Sequence, residues 1–147
     1  MEKRTVELRA RFYGGLGVLP FVLLGALLPL WPVAQQPAVV EGFTRYGSVI
    51  LAFMAGALWL PSVLGQQRHS RQGLATAILL SLLAFMGSLL PEPWSLLVLA
   101  AGFALLLISE SVQLWMLLYP SWYWTMRIGL TGMVLVCHLL AAIWLSN

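Results

Sequence analysis

From Gly73 to Leu90 the chain carries no ionisable side chain, and four further runs of similar length are nearly as apolar. About 20 such residues suffice for a helix to cross the hydrocarbon of a bilayer. Lipid offers no hydrogen-bond partners, so backbone N–H and C=O groups inside it must pair within the chain. Each run is therefore predicted to be a helix. The alternating ten-residue pattern of an outer-membrane barrel strand is absent. The fold class read from the sequence is all-α: a polytopic membrane helical bundle with five transmembrane helices in one domain, residues 1–147.

The predicted helices are about 14–31, 44–64, 73–90, 94–117 and 123–144. Prolines and polar clusters separate them. Pro29, Pro32 and Pro37 with Gln35 and Gln36 mark the first loop. Gln66 to Gln72 form the second connection. Pro91-Glu92-Pro93 breaks the chain after the third helix, and Tyr119-Pro120-Ser121-Trp122 after the fourth.

Composition agrees. Hydrophobic residues make up 61% of the chain and charged residues 9%, against about 25% charged in a soluble domain. The net charge of +3 is spread over connecting segments, which argues against a nucleic-acid partner. Lys3, Arg4, Arg9 and Arg11 precede an apolar stretch, as in a signal peptide. The uncharged run from Phe12 to Val40 is longer than a signal core, so an uncleaved signal-anchor helix is expected.

Positive residues set the expected orientation. With the N-terminus cytoplasmic, that side holds Lys3, Arg4, Arg9, Arg11, Arg68, Arg71 and Arg127, and the other side holds Arg45 alone. The C-terminus is then outside. The expected location is a multi-pass position in a bacterial inner (cytoplasmic) membrane.

Four polar residues intrude on the apolar runs. Glu110 lies roughly 10 Å before the cytoplasmic end of the fourth helix. Charge at that depth is costly unless paired, protonated or hydrated. Arg127 lies at a comparable depth across a short hairpin, so a Glu110–Arg127 pair is geometrically reasonable. Gln113 follows Glu110 by one turn and shares its face. These residues form either a ligand-anchoring or proton-accepting site or an interhelical clamp, and charge balance favours the clamp. His138 lies about seven residues before the outer end of the fifth helix. With no second histidine or carboxylate near it in sequence, it reads as a neutral histidine hydrogen-bonded to another helix.

Ser48, Ala52 and Gly56 form a small-residue stripe suited to close helix contact, and Gly129 and Gly132 suggest another contact. Trp59 and the cluster Trp122, Tyr123 and Trp124 read as an interfacial belt or as a cradle for a planar or lipidic ligand. The one cysteine, Cys137, sits in an apolar run and reads as a packing residue. No metal-ligand spacing is present. The chain contains no aspartate and no nucleotide-loop, HExxH or GxSxG pattern, so no enzyme class and no cofactor is indicated.

Three stretches carry a family resemblance. They are Leu16-Gly17-Val18-Leu19-Pro20-Phe21, the segment from Arg45 to Trp59, and the segment from Pro120 to Thr131. In these the chain resembles the domain of unknown function 3429 family, which includes transmembrane protein 69. The family often has an acidic residue, usually aspartate, near the end of helix four. The resemblance implies that Glu110 keeps that acid with a longer arm. It implies a fold and a location, and no activity.

The sequence favours a non-enzymatic accessory or scaffold of a membrane complex. The alternatives are a binder or carrier of a lipophilic small molecule (lipid, quinone or tetrapyrrole) and an oligomeric proton-coupled transporter or channel. The expected partners are membrane lipids, together with a membrane-protein partner or further copies of the chain.

Overall fold

The computed structural model describes residues 2–64, 70–112 and 120–146. These residues are mostly helical, with no strand among them: α1 (Glu2–Phe21), α2 (Gln36–Gly56), α3 (Trp59–Leu64), α4 (Ser70–Ser88), α5 (Trp94–Val112) and α6 (Ser121–Ser146). Three helices are long and apolar enough to cross a membrane: Val33–Gly56, Trp94–Val112 and Ser121–Ser146. Gln72–Ser88 is a shorter apolar helix. The charged first half of α1 keeps that helix from being apolar along its length.

The N-terminal region departs from the expected helix over 14–31. The α-helix begins at Glu2 and ends at Phe21, and Val22–Ala26 continue as a π-helical turn. Pro20 lies inside α1 and cannot donate to the carbonyl of Leu16, which weakens the regular ladder there. The wider turn is closed by the Leu27 N–H donating to the Val22 carbonyl at 3.0 Å. It places Gly25 against the ring of Phe43, where a Cβ atom would have no room. Trp31 Nε1 donates to the Leu23 carbonyl at 3.0 Å, pairing a group the irregular turn would leave free.

The second helix starts at Gln36, eight residues before the expected Thr44. Pro37 lies in the first turn, where its fixed φ suits a helix and its missing N–H costs nothing. The Gln36 amide donates to the Trp31 carbonyl at 3.1 Å. At the other end the expected span to Leu64 breaks at Ala57 and Leu58, and α3 follows. Pro61 has no N–H for the Ala57 carbonyl, so the ladder is interrupted four residues before it.

Around the bundle α1, α6, α5, α4 and α2 follow one another, and α2 also reaches α5 across the middle. The inward face of α2 is Val40, Thr44, Gly47, Leu51 and Ala55. That of α4 is Gly73, Ala77, Leu80, Ala84 and Gly87. Small residues on both faces let the backbones approach. Gly102 on α5 leaves the space that the Leu51 side chain fills. Large apolar side chains such as Leu79, Phe85 and Met86 point outward from α4, as expected of a surface solvated by lipid.

Glu92, in the connection between α4 and α5, accepts a hydrogen bond from the Thr44 hydroxyl at 3.2 Å. Burial pushes its carboxyl above the ordinary value of 4.5, and the bond from Thr44 offsets this in part. A raised value in the folded state means that folding favours the protonated acid. Its contribution to stability is complete below the ordinary value and is lost as pH rises through the folded one. Glu92→Gln is expected to flatten the pH dependence of the melting temperature in detergent between acid and neutral pH. An unchanged profile would show that Glu92 does not contribute to it.

Candidate functional site

The buried polar groups of α6 lie on one stripe. Arg127, Thr131, Val134 and His138 are all buried, spaced by four, three and four residues. This spacing keeps them on one helix face. Arg127 occupies the cytoplasm-proximal end in the orientation expected from charge. It meets Glu110 of α5 in a two-pronged pair: Nε donates to Oε2 at 2.8 Å and Nη2 to Oε1 at 3.0 Å. The two side chains are only 7% and 9% exposed. This planar fork-to-carboxylate geometry suits a pair held away from water. Gln113 lies outside the described residues.

His138 is not part of this pair. Eleven residues of helix, roughly 16 Å, separate it from Arg127. It is fully buried, and its Nδ1 lies 2.8 Å from the Val134 carbonyl of its own helix rather than bonding to another helix. A carbonyl only accepts, so Nδ1 carries the proton and Nε2 is left as an acceptor. Nε2 has no hydrogen-bond partner among the described residues. The rings of Phe43, Phe21 and Phe103 surround the imidazole, with centroids 4.6, 5.6 and 5.6 Å away. A Cβ atom at Gly47 would stand 3.2 Å from Nε2, so the glycine provides the room for the ring. Cys137 is buried beside it in the packed core.

Between α1, α2, α5 and α6 lies a cavity of about 340 Å³. Its wall is apolar for the most part: Val18, Phe21, Ile50, Met54, Phe103, Leu130 and Val134 contribute to it. Tyr13 and Phe53 also line it and are 67% and 70% exposed, so the cavity opens sideways between α1 and α2. Arg127 is the one charged side chain among the described lining residues. Thr131 lines the cavity as well, is 3% exposed, and its hydroxyl has no partner among the described residues. The Tyr46 hydroxyl ties α2 to α1 below the cavity by donating to the Gly17 carbonyl at 2.8 Å. A second recess of about 400 Å³, lined by Val33, Gln36, Pro37, Val40, Glu92 and Leu145, lies at the opposite end of α6.

The structure separates the other residues singled out from sequence. Trp122, Tyr123 and Trp124 are consecutive in α6 and radiate in different directions. Only Tyr123 of the three lines the cavity. Trp59 begins α3, is half exposed, and is not among the cavity residues. Ser48 and Ala52 are half-buried and Gly56 is exposed, with no atom within 4 Å of a Cβ built there. Gly129 and Gly132 likewise face open space. The residues that sequence reasoning missed are Thr131, Phe21 and Phe103. Thr131 was legible as the residue one turn beyond Arg127. The two phenylalanines gave no signal, because apolar residues in apolar helices do not reveal which face is inward.

The protein family described as "Protein of unknown function (DUF3429)" matches the chain over residues 6–143. No curated protein and no solved structure matches it.

Proposed function

The chain belongs to the DUF3429 family, and we propose that it is a five-span membrane protein that holds one lipophilic molecule in the cavity between α1, α2, α5 and α6. The observation that carries this reading is the cavity itself. It has the size and the mainly apolar wall of a small-molecule site, with a few polar groups along α6. Its mouth faces the side of the bundle, so a ligand enters from lipid.

The five crossings are α1 with its π-helical continuation, α2 with α3, α4, α5 and α6. The apolar half of α1 and the following turns supply length that the α-helix alone lacks. The basic residues Arg4, Arg9 and Arg11 at the start of α1 support a cytoplasmic N-terminus, and a bacterial inner membrane suits that bias. The Glu110–Arg127 pair then clamps α5 to α6 near the cytoplasmic interface, and its Arg127 lines the site.

Gly17 gives a direct test. It lines the cavity, and a Cβ built there meets nothing within 4 Å. Gly17→Trp therefore fills the space without displacing the backbone. Native mass spectrometry of protein extracted from its own membrane is expected to show a bound lipid-sized mass in the native chain and none in the variant, with the melting temperature retained. A stoichiometric second protein on both forms, with no bound small molecule, would replace this reading with the accessory one.

A further inference from the structure

We infer that the cavity selects a neutral lipophilic molecule whose head carries a hydrogen-bond-accepting carbonyl oxygen. This rests on the cavity being a ligand site, as proposed above. The α6 wall of the cavity carries donors. Glu110 engages two of the five N–H groups of Arg127, and the fork has others to give. The Thr131 hydroxyl, one turn away, is enclosed and has no partner among the described residues, and Thr131 lines the cavity through its other atoms. An unmet buried hydroxyl is unfavourable, so an occupant that meets it gains affinity. One staggered χ1 step carries the hydroxyl into the place of the methyl group and the methyl into that of the Cβ hydrogen.

Charge decides between a neutral and an anionic head. Arg127 is the one charged group among the described lining residues, and its charge is already balanced by Glu110 in a bidentate pair. A phosphate or carboxylate would have to displace Glu110 and leave that carboxylate buried without a cation, which is strongly unfavourable. A neutral carbonyl adds to the pair without breaking it. Two sources share this chemistry: a quinone ring and the ester of a glyceride.

The test titrates lipid-stripped protein in detergent with four decyl-chain probes, read by native mass spectrometry. The probes are decyl benzoquinone, monodecanoyl glycerol, decyl phosphate and decylbenzene. The expected result is tighter binding of one or both carbonyl probes than of decyl phosphate. Thr131→Val, which keeps shape and removes the hydroxyl, is expected to weaken the carbonyl probes roughly three- to tenfold, the worth of one neutral hydrogen bond. It leaves decylbenzene unchanged. Glu110→Gln frees the Arg127 charge and is expected to shift preference toward decyl phosphate. Preference for the quinone over the glyceride, or the reverse, assigns the source. Decyl phosphate binding best to the native protein overturns the inference, and so does an unaltered carbonyl affinity in Thr131→Val. No binding of any probe, decylbenzene included, overturns the cavity reading itself.

Discussion

Arg127→Ala is expected to destabilise the folded bundle by about 3–5 kcal/mol, because it leaves the Glu110 carboxylate buried without its cation. The pair is bidentate and almost fully enclosed, so neither water nor a neighbouring cation among the described residues replaces the guanidinium. Arg127→Lys keeps the charge and loses the fork, and is expected to fall between the two. The double change Glu110→Leu with Arg127→Met removes both charges together. It is expected to return stability to within about 1 kcal/mol of the native protein, since apolar replacements of a buried pair are often neutral or favourable. Detergent–SDS unfolding midpoints of the four proteins check this. Equal midpoints for the native protein and Arg127→Ala would show that the pair is hydrated and that Glu110 is satisfied without it. The double variant would also separate stability from selectivity, because it keeps the fold and removes the charged group from the cavity wall.

Phe43→Ala is expected to cost about 3 kcal/mol, the low end of the range for removing a buried phenylalanine. Lipid tails are as apolar as the core, so the loss here is packing and not transfer from water. The position is sensitive because several contacts converge on one ring. Phe43 meets Phe21 edge-on at 5.7 Å, lies 4.6 Å from His138, and fills the space left by Gly25. The void would open directly beside the bare Nε2 of His138. Phe43→Leu retains most of the volume and is expected to lose less than half as much. Unfolding midpoints under the same conditions check the order native, Leu, Ala. An alanine variant as stable as the native protein would mean that the aromatic cage collapses onto the histidine without loss.

The chain order of the helices and the chemistry of their ends follow from the sequence. Long apolar runs in lipid must be helices, because no other local structure pairs every backbone group. The meeting of Glu110 and Arg127 was also legible. Two opposite charges at similar depth on helices joined by a short connection have few other partners in an apolar bundle. The family match over residues 6–143 agrees with the resemblance seen in three short stretches.

Other features depended on the tertiary structure. The inward stripe of α2 is Gly47, Leu51 and Ala55, one residue away from the candidate contact stripe Ser48, Ala52 and Gly56. Both stripes have helical spacing and both are small or apolar. In water the polar face would mark the outside, but in lipid both faces are apolar and only packing against α4 and α5 distinguishes them. The start of α2 at Gln36 and the π-helical turn after Phe21 arise in the same way. Prolines and glutamines permit a loop or a helix start, and the neighbouring helices decide. The sequence alone determined a bundle of apolar helices and made a Glu110–Arg127 pair geometrically reasonable. The cavity, its Thr131 lining and the aromatic cage around His138 belong to the tertiary structure, because they depend on which of several equally apolar helix faces turn toward one another.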